Sequence, residues 1–167
     1  MRTAIYPGSF DPITLGHLNI IRRASRLFGR VTVCVMKNTS KTPMFTLEER
    51  VAQVETVVKR FGNVDVETWD GLLVAYVAQY PGENPVIVRG LRALSDFEYE
   101  FQMALINKKM SPKLETVFLA ASEKYTYLSS SAVKDMALFG ADLSDFVPYE
   151  IIDDVAEKSK DRRKRNG

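Results

Sequence analysis

Short runs of Val, Ile and Leu alternate along this chain with longer stretches in which apolar residues recur every three to four positions. The runs read as buried strands and the stretches as amphipathic helices. Five strands are predicted, at Thr3–Tyr6, Val31–Met36, Val64–Thr68, Pro85–Arg89 and Glu115–Ala120. The first helix places Leu18, Ile21, Ala24 and Phe28 on one face, and the second aligns Leu47, Val51, Val54, Val58 and Phe61. Thr46 with Glu49 predicts a capping box opening the second helix, and Gly62 is expected to stop it. Leu72 to Tyr80 reads as a third, mostly buried helix ending before Pro81. Ser95 with Glu98 predicts a second capping box for a helix reaching about Met110. Ser129 or Ser130 opens another, closed by Gly140, and Pro148 suits the first turn of a last helix carrying Tyr149, Ile152 and Val155.

Near-continuous apolar strands separated by helices imply a parallel sheet covered on both faces. Right-handed crossovers make it a single doubly wound, five-stranded α/β sheet whose ligand cleft lies beyond the carboxyl ends of the strands. With no repeat or linker in 167 residues, one domain over 1–157 is expected, followed by a basic tail at 158–167.

Charge alters that picture only at the end of the chain. The formal net charge is +2, but the tail holds six of the 23 Lys and Arg and one of the 21 acids. The body is therefore slightly acidic, which argues against a nucleic-acid surface, and the tail is expected to be a frayed, solvated helix end. No apolar run is long enough to span a bilayer, and no leader is recognised at the N-terminus. Cys34 is the only cysteine, flanked by valines, and reads as a small buried hydrophobe in a cytoplasmic protein.

Candidate chemistry gathers just after the strands. Tyr6-Pro7-Gly8-Ser9-Phe10-Asp11-Pro12 leads through Thr14-Leu15-Gly16 to His17, the only histidine. A strand, a Gly/Pro turn and a helix start aim free N–H groups and a dipole at one spot, where a phosphate can sit. The stretch is neither the dinucleotide fingerprint nor a Walker A loop. Lys41 follows the second strand, Arg89-Gly90-Leu91-Arg92 the fourth, and Ser122 to Ser131 the fifth. The two arginines could instead pair with Asp96 or Glu98, and the serines could simply cap a helix. Two guanidiniums, an ammonium, an imidazole and hydroxyls at one mouth favour anionic guests. No Cys/His metal spacing, nucleophile elbow or catalytic carboxylate pair is present in the sequence. The inventory suits a reaction whose nucleophile is already ionised, such as an attacking phosphate.

With these blocks in this order, the chain resembles the bacterial phosphopantetheine adenylyltransferase family of nucleotidyltransferases, whose signature is His-or-Thr-x-Gly-His. The resemblance covers Arg2 to Val147 and includes Lys41-Thr42-Pro43-Met44-Phe45, Asp96-Phe97-Glu98-Tyr99-Glu100, and Leu128-Ser129-Ser130-Ser131 with Val133-Lys134. It implies a Rossmann-like nucleotidyltransferase fold and adenylyl transfer from ATP to 4′-phosphopantetheine, giving dephospho-coenzyme A and pyrophosphate. By resemblance His17, Lys41 and Arg92 would be catalytic. Ser9, Phe10, Gly90, Leu91, Arg92 and Glu100 would bind ATP, with Tyr125, Thr126, Tyr127, Leu128, Ser129, Ser130 and Ser131 closing over the triphosphate. Ser9, Lys41, Leu73 and Arg89 would bind the acceptor. Mg²⁺ would arrive with the triphosphate, coenzyme A would inhibit, and the protein would be a homohexamer. Ser9, Tyr125 and Leu128 stand where relatives often carry Thr, Trp and Ile, which touches nucleotide packing rather than the reaction.

The helix dipole at His17 predicts a neutral imidazole that donates one hydrogen bond. The competing readings are a sister enzyme acting on nicotinamide mononucleotide or glycerol 3-phosphate, and a nucleotide-binding regulator without turnover. Thr14 in place of a first histidine, and Lys134 after the serines, argue against the sisters.

Overall fold

The computed structural model describes residues 2–37, 42–80 and 84–166. Five parallel strands, β1 (Thr3–Gly8), β2 (Arg30–Met36), β3 (Val64–Trp69), β4 (Val86–Leu91) and β5 (Glu115–Ala120), form one sheet in the order β3-β2-β1-β4-β5. Six helices surround it: α1 (Leu15–Leu27), α2 (Leu47–Val58), α3 (Leu73–Val77), α4 (Leu94–Met110), α5 (Ser130–Leu138) and α6 (Ile152–Asn166). Short 3-10 turns at Glu123–Tyr125 and Tyr149–Ile151 precede α5 and α6. The strand order reverses between β1 and β4, so the sheet opens a crevice where those two strands end.

Alternation along the strands divides the core between two faces. Ala4, Tyr6, Val31, Val33, Val35, Val86 and Val88 pack with buried residues of α1, α2, α5 and α6. Ile5, Cys34 and Ile87 point the other way, toward Tyr76 of α3. Burial pushes the Cys34 thiol up to about 12, which makes it a packing residue and not a nucleophile. The β2–β3 register pairs Val33 with Val66 and Cys34 with Glu67. Among the described residues no helix is long and apolar enough to cross a membrane.

Several elements depart from their sequence reading. α2 ends at Val58 with Lys59 as its cap, four residues before Gly62. α3 spans only five residues and buries Tyr76 alone, because Leu72 is left in the open at 62% exposure. α4 is capped by Ala93 with no side-chain bond, so the Ser95–Glu98 box is not its start. Pro148 caps the 3-10 turn ahead of α6 rather than entering the helix. The 158–166 stretch continues α6: Lys158 pairs with Glu49 at 2.6 Å, and Ser159 is buried. The capping box at Thr46 and the cap at Ser129 form as read, and Gly140 turns the chain after α5 at φ +74°.

Candidate active site

The turn after β1 is built around one aromatic ring. Phe10 adopts φ 46° and is buried, with its ring edge-on to Tyr6 at 5.5 Å and to His17 at 5.1 Å. A Cβ on Gly8 would lie 2.9 Å from the Phe10 ring, so only glycine fits there. The chain then passes a cis Asp11–Pro12 bond and reaches Thr14, the N-cap of α1. The cap is reciprocal. The His17 amide donates to Thr14 Oγ1 at 3.3 Å, and the Thr14 amide donates to His17 Nδ1 at 3.1 Å. Nδ1 is therefore an acceptor, and the imidazole proton is assigned to Nε2. Burial, then Arg92, then Arg89 lower the His17 pKa to about 4. The neutral ring is the state read from the sequence, but its first cause is burial rather than the helix dipole.

Both arginines are anchored before any ligand arrives. Arg89, at the end of β4, donates through Nη1 to the Pro7 carbonyl and through Nε and Nη2 to Glu100, at 2.7 and 2.5 Å. Arg92 donates to the Leu128 carbonyl at 2.8 Å and holds Asp96 at 2.8 and 2.9 Å. The acid that Arg89 selects is Glu100, not Glu98. Such paired guanidiniums are pre-oriented, and part of their charge is already compensated.

A cavity of about 250 Å³ opens between the ends of β1 and β4. Ser9, Phe10, His17, Arg89, Gly90, Arg92, Glu100, Tyr125, Leu128, Ser129 and Ser130 line it. A second cavity of about 400 Å³ continues from it, sharing Pro7, Gly8, Ser9, Arg89 and Glu100. Its walls are more apolar, with Met36, Leu72, Leu73, Ile87 and Met103 beside Lys37, Tyr99 and Asn107. Leu91, Thr126 and Tyr127 line neither. Leu91 uses its carbonyl to accept from the Ala121 amide, the Thr126 hydroxyl donates to the Glu123 carbonyl, and Tyr127 is 64% exposed. Ser131 borders a small adjoining cavity with Lys134 and Arg50. Lys41 lies outside the described residues.

Sequence reasoning overlooked the scaffold beneath these residues. The buried Asp11 carboxylate accepts from the Met44 and Phe45 amides, at 2.9 Å each, and from Lys134 at 3.0 Å. Arg50, 3% exposed, donates to the Ser9 and Met36 carbonyls and so ties together the ends of β1 and β2. Its position on the second helix, next to the apolar Val51, gave no sign of burial. Ser130 donates to the Pro12 carbonyl at 2.8 Å, joining α5 to the same turn. Tyr6 and Asp96 also face the first cavity, and burial pushes the Tyr6 phenol up to about 12.

Residues 5–136 match the family model described as cytidylyltransferase-like. The phosphopantetheine adenylyltransferase of Alkaliphilus metalliredigens is 52% identical over 95% of this chain and 100% of its own length. The protein of the same name from Caldanaerobacter subterraneus is 51% identical over 96% and 99%. Among solved structures, a bifunctional NMN adenylyltransferase/ADP-ribose pyrophosphatase of Francisella tularensis superposes with TM-score 0.71 at 14% identity, covering 99% of this chain and 52% of that one. The nicotinic acid mononucleotide adenylyltransferase of Plasmodium falciparum gives 0.68 at 15%, covering 93% and 95%. At those identities the likeness concerns the fold alone.

Proposed function

Because this chain belongs to the phosphopantetheine adenylyltransferase family, we propose that it transfers the adenylyl group of ATP to 4′-phosphopantetheine, giving dephospho-coenzyme A and pyrophosphate. The observation that carries the assignment is the pair of cavities sharing Gly8, Ser9 and Arg89. The more polar one suits a nucleotide, and the larger, more apolar one suits the pantetheine arm. Their common rim is where the acceptor phosphate and the α-phosphate would meet. An acceptor phosphate oxygen attacks Pα, the bond from Pα to the bridging oxygen of Pβ breaks, and pyrophosphate leaves with that electron pair. The attacking oxygen is already ionised, so no side chain has to remove a proton.

The protein's own groups then hold and neutralise. Neutral His17 offers the single Nε2–H to an α-phosphate oxygen, and that bond strengthens as charge builds. Arg92 steers the nucleotide phosphates, while Arg89 with Lys41 holds the acceptor phosphate. The backbone around Leu128 to Ser131 receives the triphosphate at the N-terminus of α5. The donor set of the nucleotide cavity is guanidinium, imidazole, hydroxyl and amide, and its carboxylates Asp96 and Glu100 are engaged by arginines. Mg²⁺ would therefore enter with the triphosphate, as part of the metal–nucleotide substrate. Coenzyme A, which contains both halves of the product, would compete for the same two cavities. Leu94, Phe97, Phe101 and Leu105, at positions i, i+3, i+7 and i+11, are exposed along one side of α4, and burying that face supports assembly of a homohexamer. A buried, unpaired Cys34 suits a cytoplasmic setting.

The reading is tested by pyrophosphate release from ATP or CTP with each of 4′-phosphopantetheine, nicotinate and nicotinamide mononucleotides, and glycerol 3-phosphate. Turnover with ATP and 4′-phosphopantetheine alone is expected. A preference for a mononucleotide would assign the sister activity, and binding of ATP without turnover of any acceptor would make the protein a regulator.

A further inference from the structure

The second cavity owes one wall to an element that has little stability of its own. α3 has five residues and no side-chain cap, and a helix of that length does not persist unless other parts of the fold hold it. Yet its start presents Leu72 and Leu73 to the cavity beside β1 and β4.

What holds α3 is a polar cluster on the sheet face away from the nucleotide. Glu67 of β3 accepts two phenol hydroxyls on one oxygen, Tyr76 at 2.7 Å and Tyr80 at 3.1 Å, and the two hydroxyls are 2.8 Å apart. Tyr76 is 1% exposed, and burial raises the pKa of both phenols, so both keep the proton they donate. Among the described residues no lysine or arginine forms an ion pair with Glu67. The carboxylate is therefore left to the two tyrosines. Trp69, two residues along the same strand face, donates its indole N–H to the Leu72 carbonyl at 3.0 Å. The strand thus grips α3 at both ends.

We propose that Glu67 is a positioning residue for the acceptor, fixing the Leu72–Leu73 wall of the second cavity by clamping Tyr76 and Tyr80. The inference rests on the reading that this cavity takes the pantetheine arm. Among the described residues Glu67 forms no hydrogen bond or ion pair with a group lining the nucleotide cavity, so its effect falls on one substrate. In Glu67→Ala the phenols lose their acceptor and the wall loosens, whereas in Glu67→Gln the side-chain carbonyl still accepts from one of them.

Steady-state kinetics with ATP and 4′-phosphopantetheine separates this from a purely structural role. Glu67→Ala is expected to raise the KM for 4′-phosphopantetheine about tenfold, with the KM for ATP within about twofold and kcat at saturating acceptor within about threefold of wild type. Glu67→Gln should fall between the two. Unchanged acceptor KM in Glu67→Ala, or a loss of kcat with no KM split, overturns the proposal. Should Glu67→Ala not fold, Tyr80→Phe removes one phenol hydroxyl and its bonds to Glu67 and Tyr76; a raised acceptor KM with normal ATP KM supports the clamp, and wild-type values overturn it. If the wild-type protein itself fails to use 4′-phosphopantetheine, the functional reading has failed and the positioning role goes with it. Wild-type turnover with an unaltered variant rejects the clamp alone.

Discussion

His17 combines a local task with the catalytic one proposed for it. Nδ1 completes the cap of α1, which fixes the orientation of Nε2 toward the cavity mouth. His17→Ala is expected to lower kcat by about 10²–10³-fold while ATP affinity changes less than about threefold, as measured by steady-state kinetics and equilibrium binding. Equal losses in both would contradict a transition-state role. The depressed pKa also makes a prediction about stability. Between pH 6.5 and about 4 the unfolded chain binds a proton at His17 that the folded protein refuses. The stability linked to this group is therefore complete above pH 6.5 and is lost as pH falls toward 4. Denaturant titrations across that range should show a downward slope on acidification that is shallower in His17→Asn. At this scale the residues that line the crevice were legible, since Gly8, His17, Arg89 and Arg92 sit close to where the strands end. Their partners were not. The sequence offers Asp96 or Glu98, and the helix placement gives Asp96 to Arg92 but brings Glu100, not Glu98, to Arg89.

Elements meet at Asp11. It joins the turn after β1 to residues 44 and 45 ahead of α2, and through Lys134 to α5. Removing a buried carboxylate that serves two amides and an ammonium leaves all three without their partner. Asp11→Ala should cost about 3 kcal/mol in denaturant unfolding, more than a typical point substitution. A cost below about 1 kcal/mol would mean that these segments are held elsewhere. The strands and most helix limits could be read from periodicity and caps, because burial on two faces imposes them. α3 and the start of α4 could not. The apolar run from Leu72 suggested a buried helix, but its first turn lines a cavity instead of the core. Ala93 caps α4, and Asp96 in its first turn accepts from the Arg92 amide at 3.1 Å. The basic end of the chain read as solvated from its charge, yet Lys158 and Ser159 meet the body of the fold.

The whole molecule presents two surfaces of different character. One is the crevice at the sheet's switch point; the other is the apolar stripe of α4. Self-association through the stripe predicts that Leu105→Glu shifts the species seen by light scattering to a smaller mass without unfolding the monomer. An unchanged mass would place the contact elsewhere. The crevice carries the central claim, which is one direct displacement at phosphorus with both substrates held in line and no covalent adenylyl intermediate. It is tested most directly with ATP made chiral at Pα by a single sulfur, following the configuration of the phosphorothioate product. Inversion at Pα is the predicted result; retention would require two displacements through an enzyme-bound adenylyl group and would contradict the account.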